Sequence, residues 1–372
     1  MANSMLFEPL TLRGTVLKNR IAVSPMCQYK AVNGYVQPWH HAHHARFALG
    51  GAGTVFVEAT AVTRDGRITH GCTGLWEDGQ IEGLRQIAEL HRAHGAVPAI
   101  QIGHAGRRAS AARPWEGASS LALSGPDEPW LAMAPSAIAE RDGYPVPREM
   151  TVSDIDDLLA AFAAAARRAL TAGFEIAEVH GAHGYLIHSF FSLVSNRRND
   201  VYGGTRDNRM RLPLLVAETV RAVWPAAKPV FYRTSVVDGV EHGLTVEDNI
   251  ALARELKLIG IDVIDCSSGG MAGSASLSTK KITPGFQVPL AAAVKQGSGL
   301  KVMAVGAILD GPQAEKILQK GEADLIAIGR EMLADPNWAY HAAVDLGFSK
   351  PWSVLPPEYA FYLERRAGVL ER

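Results

Sequence analysis

The segment Phe-Glu-Ile-Ala-Glu-Val-His-Gly-Ala-His-Gly-Tyr, residues 174–185, is a largely apolar run that ends in two histidines and a tyrosine. Short apolar runs bounded by glycine are typical of buried strands. His180 and His183 offer N–H donors that can bind one substrate oxygen, and the Tyr185 phenol can give up a proton yet stay uncharged at neutral pH. The segment therefore predicts a strand that carries carbonyl-polarising groups to a pocket.

Similar strand-like runs alternate with helical stretches from one end of the chain to the other. The eight predicted strands cover residues 20–23, 54–58, 97–102, 174–179, 229–234, 262–266, 301–305 and 324–328. Amphipathic or alanine-rich stretches predict helices over 80–94, 153–171, 207–223, 246–259 and 312–319, and Thr151 has the character of an N-cap. Eight strands alternating with helices predict an α/β protein with a single (β/α)8 TIM barrel.

Two segments do not follow this alternation of strands and helices. Residues 107–150, directly after the third strand, are rich in Pro, Gly, Ser and Ala and contain Trp115 and Trp130. We expect this long βα insertion to border the pocket, because βα loops form the face of a barrel where active sites lie; an oligomer contact is the alternative. The barrel domain then covers residues 1–350. Residues 351–372 form a separate C-terminal tail, aromatic and basic, that we expect to dock on a neighbouring subunit.

Composition limits the classes of function. The 372 residues include 37 basic and 38 acidic side chains, which gives no sign of binding to nucleic acid or to an anionic membrane surface. The longest apolar run is too short to span a bilayer. Three cysteines without CxxC spacing suggest neither a disulfide framework nor a zinc ribbon. We expect a cytoplasmic protein.

Polar groups and glycines follow the predicted strand ends, and in a barrel they would converge on one face. They include Ser24–Tyr29, Ala59, Gln101, His104, Arg233, 267–270, Gly306, Gly329 and Arg330. Glycines after the last two strands, next to short helices, are typical of a phosphate site, where Arg330 would add a cation.

Metal and dinucleotide sites are the alternatives that the sequence offers. His180 and His183 could ligate zinc, but no third ligand lies nearby in the sequence, and His40 and His44 share a helix face without an acidic neighbour before Glu58. Packing or hydrogen bonding is favoured for the second pair, and no metal is predicted. The glycines at 50–53 precede a strand, whereas a Rossmann fingerprint follows one.

Taken in order, these motifs resemble the Old Yellow Enzyme family of FMN-dependent ene-reductases, specifically its bacterial, xenobiotic reductase-like branch with a cysteine after the first strand. The resemblance covers nearly the whole chain. Its most specific parts are Ser24–Tyr29, Gln101 with 104–107, 180–185, 195–204 and 328–330. It implies a barrel that holds FMN noncovalently, is reduced by NAD(P)H and is reoxidised by an electron-poor alkene or nitro compound.

The resemblance also implies roles for individual residues. Ser24, Pro25, Met26, Cys27 and Ala59 would line the flavin ring, Gln101 would bind its pyrimidine edge, and Arg233 would stabilise the negative charge of its reduced form. Gly306, Gly329 and Arg330 would hold the phosphate. Cys27 would tune the flavin potential, although a small buried filler is the ordinary role of such a cysteine.

On the substrate side, the resemblance implies that His180 and His183 donate to the carbonyl or nitro oxygen, each contributing roughly 3 kcal/mol by analogy with oxyanion holes. Tyr185 would protonate the α-carbon, giving net trans addition, and Tyr29 would add a hydrogen bond. Arg365 or Arg366 of a neighbouring subunit would reach the substrate, which implies a homodimer or homotetramer. A metal-dependent hydrolase and a flavin-binding sensor without turnover remain the alternatives.

Overall fold

The computed structural model describes residues 4–117, 119–121, 127–272 and 282–370. Eight parallel strands close into one barrel, as predicted. A short antiparallel hairpin, β1 (Leu10–Leu12) and β2 (Thr15–Leu17), precedes it. The barrel strands are β3 (Ile21–Val23), β4 (Thr54–Ala61), β5 (Val97–Gly103), β8 (Ile176–Gly181), β9 (Val230–Ser235), β10 (Val263–Ser267), β11 (Lys301–Val305) and β12 (Leu325–Ile328), while β6 (Met133–Ala134) and β7 (Arg148–Glu149) pair inside the insertion.

Helices cover the outside of the barrel. They are α1 (Pro38–Leu49), α2 (Ile81–Ala93), α3 (Val152–Thr171), α4 (Leu186–Phe191), α5 (Arg206–Val223), α6 (Val246–Ile259), α7 (Val288–Ser298), α8 (Gly311–Gln319), α9 (Arg330–Ala334), α10 (Trp338–Asp345) and α11 (Pro357–Val369). The predicted N-cap of α3 is confirmed, because the Thr151 side chain accepts from the Asp154 backbone N–H. In the described part of the chain, no helix is long and apolar enough to cross a bilayer.

Two apolar clusters show which strand residues face inward. One cluster fills the lower barrel and contains Phe56, Ala99, Ile176, Phe231 and Val263 together with Leu12 and Leu17 of the hairpin. The larger cluster, between sheet and helices, contains their strand neighbours such as Ala177, Val230 and Ile264. Because side chains alternate along a strand, the residues two positions further on, including Glu178, Arg233 and Asp265, face the upper interior. The hairpin therefore closes the lower end, and polar groups occupy the other.

The two irregular segments occupy different parts of the molecule. In the insertion, residues 118 and 122–126 lie outside the described residues; the remainder includes β6, β7 and two 3-10 turns. In the tail, α11 packs against the preceding 3-10 turn (Pro351–Val354) and has no buried residue. The last two tail residues lie outside the described chain.

Candidate active site

His180, His183 and Tyr185 come together where β8 ends. The two imidazole centroids are 5.2 Å apart and nearly perpendicular, and the Tyr185 ring is 4.9 Å from that of His180. The backbone N–H of Ala182 donates to His180 Nδ1 at 3.3 Å, so Nε2 of a neutral His180 carries the proton. His180 lies within the strand, not in the loop after it. The cluster thus contains an imidazole donor next to a phenol.

Burial keeps this cluster uncharged. It lowers the pKa of both His180 and His183 well below the usual value, and the positive charge of Arg233 lowers both further. Burial also raises the pKa of Tyr185, whereas Arg108, whose guanidinium lies 5.8 Å from the phenol ring, lowers it. At neutral pH the site therefore presents neutral donors to a substrate oxygen.

The loop that carries Tyr185 is fixed by residues that sequence reasoning missed. The backbone N–H of Gly184 donates to His188 Nδ1 at 2.9 Å, and His188 Nε2 contacts Asp238 Oδ1 at 2.7 Å. Gly184 has a φ of +76°, and a Cβ there would lie 2.1 Å from the Gly270 carbonyl oxygen. The His188–Asp238 pair therefore holds a turn that only glycine allows.

His183 is anchored to two neighbouring strands. Its backbone N–H donates to Ser235 Oγ at 3.0 Å, and its Nε2 contacts Ser267 Oγ at 2.7 Å. Its φ of +60° is unusual for a residue with a side chain, and such backbone conformations are often found at functional sites. His183, one of the two predicted substrate-binding histidines, therefore already uses Nε2 in a hydrogen bond with Ser267.

The segment after β3 reaches the same face. Burial raises the pKa of the Cys27 thiol well above its usual value, and Glu58 adds to the effect, so Cys27 is a neutral thiol. The Gln28 backbone N–H donates to Glu58 Oε2 at 2.8 Å, and His40 Nε2 lies 3.3 Å from Glu58 Oε1. The side-chain oxygen of Ser24 is buried without a partner among the described residues. Glu58 thus fixes the backbone next to Cys27.

Four polar side chains from four adjacent strands lie inside the barrel below this cluster. Gln101 Nε2 donates to Glu178 Oε1 at 2.7 Å, and Arg233 Nε lies 3.1 Å from Asp265 Oδ2. The Arg233–Asp265 contact is an ion pair without hydrogen-bond alignment. Arg233 Nε and both side-chain oxygens of Asp265 are buried without a hydrogen bond to any described residue. We call Gln101, Glu178, Arg233 and Asp265 the polar tier.

A cavity of about 320 Å³ opens beside the ends of β11 and β12. Gly306, Gly329 and Arg330 line it, as the sequence predicts for a phosphate site. Gly306 has a φ of +114°, and a Cβ there would lie 2.5 Å from Gln287 Nε2. Gly329 is the N-cap of α9, a short helix that begins at Arg330.

A second cavity, of about 170 Å³, is bordered by the insertion. Tyr29 and Tyr185 line one side, while Arg108, Glu140 and Tyr144 belong to the insertion. Arg108 Nη1 donates to the carbonyls of His183 (2.9 Å) and Gly270 (2.7 Å), which ties the insertion to the loop that carries His183 and Tyr185. Tyr29 has a φ of +53°. This arrangement places both predicted substrate tyrosines at one opening.

The comparisons with known proteins agree with this geometry. Residues 5–347 match the model of the NADH:flavin oxidoreductase / NADH oxidase family. The chain is 42% identical over 346 residues to an NADPH dehydrogenase of Geobacillus sp. (strain WCH70), covering 92% of this chain and 95% of that protein. It is 41% identical over 348 residues to the NADPH dehydrogenase of Bacillus subtilis (strain 168), covering 93% and 96%. The chain belongs to the Old Yellow Enzyme family.

Solved structures share the fold. Morphinone reductase superposes with a TM-score of 0.77 at 24% identity, covering 96% of this chain and 93% of that one. A 2-naphthoyl-CoA reductase gives a TM-score of 0.82 at 25% identity, and the match covers 94% of this chain but 53% of the reductase. The family and its curated members establish an NADPH-dependent flavin oxidoreductase with FMN as cofactor.

The residues of this chain fit FMN as the family requires. The buried Nε of the Arg233 guanidinium and the buried hydroxyl of Ser24 lack a hydrogen-bond partner among the described residues. The cavity at Gly306, Gly329 and Arg330 suits the phosphate of the Old Yellow Enzyme cofactor. Pro25, Met26, Ala59 and Gln101 belong to the same barrel face, although their contacts with the flavin remain predictions.

The remaining candidates lie elsewhere. Arg365 stacks on Phe361 of its own helix, with 4.0 Å between the guanidinium carbon and the ring centroid, and it lines neither cavity described above. A substrate contact by Arg365 would therefore need a second copy of the chain. His44 and His91 form a buried hydrogen bond of 3.1 Å, a structural role. No group of three or more metal-ligating side chains occurs within the described ranges.

Proposed function

We propose that this Old Yellow Enzyme family member is an ene-reductase for activated alkenes such as enones, maleimides and nitroalkenes, with nitro compounds or nitrate esters as further acceptors. The observation that carries the proposal is the packing of the His180 ring against the rings of His183 and Tyr185 where β8 ends, with Tyr185 lining the cavity that the insertion borders. Bound FMN supplies hydride transfer from NAD(P)H to the β-carbon of the acceptor.

The side chains of this chain account for the rest of the reaction. As the β-carbon gains hydride, negative charge grows on the carbonyl or nitro oxygen, where His180 and His183 donate N–H groups without carrying charge themselves. Tyr185 then gives its phenolic proton to the α-carbon. The phenolate that results is stabilised by the Arg108 guanidinium, 5.8 Å from the ring, until solvent returns the proton.

Other residues hold the two reactants. Tyr29, across the same cavity, adds a hydrogen bond to the substrate oxygen. Ser24, Pro25, Met26, Cys27, Ala59, Gln101 and Arg233 contact the flavin ring, and Gly306, Gly329 and Arg330 bind its phosphate. Cys27 acts on the potential as a neutral thiol. The exposed aromatic residues of α11 support a homodimer or homotetramer in which Arg365 or Arg366 enters the partner's site.

The test separates the two halves of the reaction. In anaerobic stopped-flow experiments, NADPH should bleach the flavin absorbance and 2-cyclohexenone should restore it. Tyr185→Phe should slow reoxidation by at least about 100-fold, because general acid catalysis is typically worth 10²–10⁴, and should leave reduction nearly intact. Tyr35→Phe, at an exposed tyrosine that lines neither cavity described above, is the control. Equal damage to both halves would remove Tyr185 from the proton-donor role, and a flavin that never reoxidises with any acceptor would favour the sensor.

A further inference from the structure

The polar tier carries more negative charge than its one cation can balance. Glu178 and Asp265 are both fully buried, and the only cation of the tier is Arg233. Below the tier lies the apolar cluster of the lower barrel, which provides no counter-charge. An unpaired carboxylate in such surroundings is strongly disfavoured, and the group takes up a proton instead.

The other groups that face the tier do not supply the missing charge. Above it, His180 is neutral because burial lowers its pKa. On β5 the neighbour is the neutral amide of Gln101. On β4, Glu58 is engaged by His40 and by the Gln28 backbone. The positive charge of Arg233 can therefore balance only one of the two carboxylates of the tier.

The contacts decide which carboxyl keeps the proton. Asp265 lies 3.1 Å from Arg233 Nε and is the natural carboxylate of the pair. Glu178 is held through one oxygen by the Gln101 amide, and its other oxygen, Oε2, has no partner among the described residues. Burial raises the pKa of Glu178 well above its usual value and the charge of Asp265 raises it further, whereas Arg233 and the Gln101 hydrogen bond lower it. Burial also raises the pKa of Asp265, which the adjacent charge of Arg233 lowers.

We propose that Glu178 is a carboxylic acid at neutral pH and that the polar tier is consequently a charge-neutral floor of the flavin site. An ionised Glu178 would give the tier a net negative charge and oppose the attraction of Arg233 for an anion above it. The neutral acid leaves the guanidinium balanced by Asp265 alone. Glu178 is thus a positioning residue, since it acts through Arg233 and Gln101. The inference goes beyond the proposed function, because it holds whichever acceptor is reduced.

Infrared spectroscopy of the FMN-bound protein tests the protonation state directly. A protonated carboxyl group has a C=O stretching band that is separate from the bands of a carboxylate. Growth on ¹³C-labelled glutamate shifts the bands of glutamate side chains and leaves those of the unlabelled flavin carbonyls in place, so a shifted acid band belongs to a glutamic acid. The wild type should show one such band at pH 7. Glu178→Gln should abolish it, whereas Glu315→Gln should not, because Glu315 is a buried carboxyl whose pKa hydrogen bonds lower.

Asp265→Asn provides the decisive variant. With Asp265 neutral, Glu178 becomes the only counter-charge for Arg233, so it should release its proton and the labelled band should disappear although Glu178 is still present. A band that persists in Asp265→Asn would overturn the charge-balance argument. A labelled band that survives Glu178→Gln would overturn the assignment to Glu178. Should either variant fail to fold, absence of any labelled acid band in the wild type at pH 7 would by itself refute the proposal.

Discussion

Replacing His180 by alanine tests the proposed oxyanion donor. A phenolate has the same charged oxygen as the developing enolate, so a para-substituted phenol is a probe for the donors at this site. In the structure, Nδ1 of His180 is occupied by the Ala182 backbone N–H, which leaves one N–H, on Nε2, for a ligand. One hydrogen bond to a charged acceptor is worth about 1.5–3 kcal/mol, so the Kd should rise about 10- to 150-fold.

The assay is titration of the oxidised flavin spectrum with the phenol. His94→Ala is the matched control and should leave the Kd unchanged, because His94 is the C-cap of α2 just before β5 begins and therefore lies at the opposite end of the barrel. The pH profile adds an independent check. Because burial lowers the pKa of His180 well below 6.5, affinity should follow ionisation of the phenol alone. An unchanged Kd in His180→Ala, or a break in the wild-type profile near pH 6.5, would refute the reasoning.

Two further predictions concern stability and cofactor binding. Burial lowers the pKa of His91 to about 3, so only the unfolded chain takes up its proton between pH 6.5 and 3, and this contribution to stability is lost as the pH falls. The free energy of unfolding can be measured by urea titration with excess FMN at pH 7 and at pH 5. Its decrease between the two pH values should be about 2 kcal/mol smaller in His91→Gln than in the wild type or in the control His242→Gln. An equal decrease in all three proteins would contradict a buried, neutral His91. Arg330→Gln should weaken FMN binding about tenfold or more but should change the binding of riboflavin, which lacks the phosphate, very little. Titration of flavin fluorescence measures both affinities, with Arg206→Gln as the control. Equal weakening for the two ligands would exclude a contact between Arg330 and the phosphate.

The sequence was sufficient for the barrel but not for the internal contacts of the site. Each predicted barrel strand overlaps an observed one, because buried parallel strands are short apolar runs. The β1–β2 hairpin was missed, since its strands are only three residues long. The role of His188 was also missed, because its partner Asp238 is 50 residues away and no local pattern links them. Such contacts exist only once the barrel closes.

The polar tier, by contrast, left a signal in the sequence. Three consecutive barrel strands end with polar residues two positions apart: Glu178 and His180, Arg233 and Ser235, Asp265 and Ser267. All six are buried, so they cannot be explained as a solvated strand face. Side chains two positions apart lie on the same face of a strand, and the face that points into the barrel is the one on which buried polar residues are expected. Because these residues lie near the carboxyl ends of their strands, they belong to the end of the barrel where ligands bind. On these three strands the inner face carries two carboxyl groups and one guanidinium. The proposal that one carboxyl is protonated therefore follows from the sequence pattern, without any measured distance.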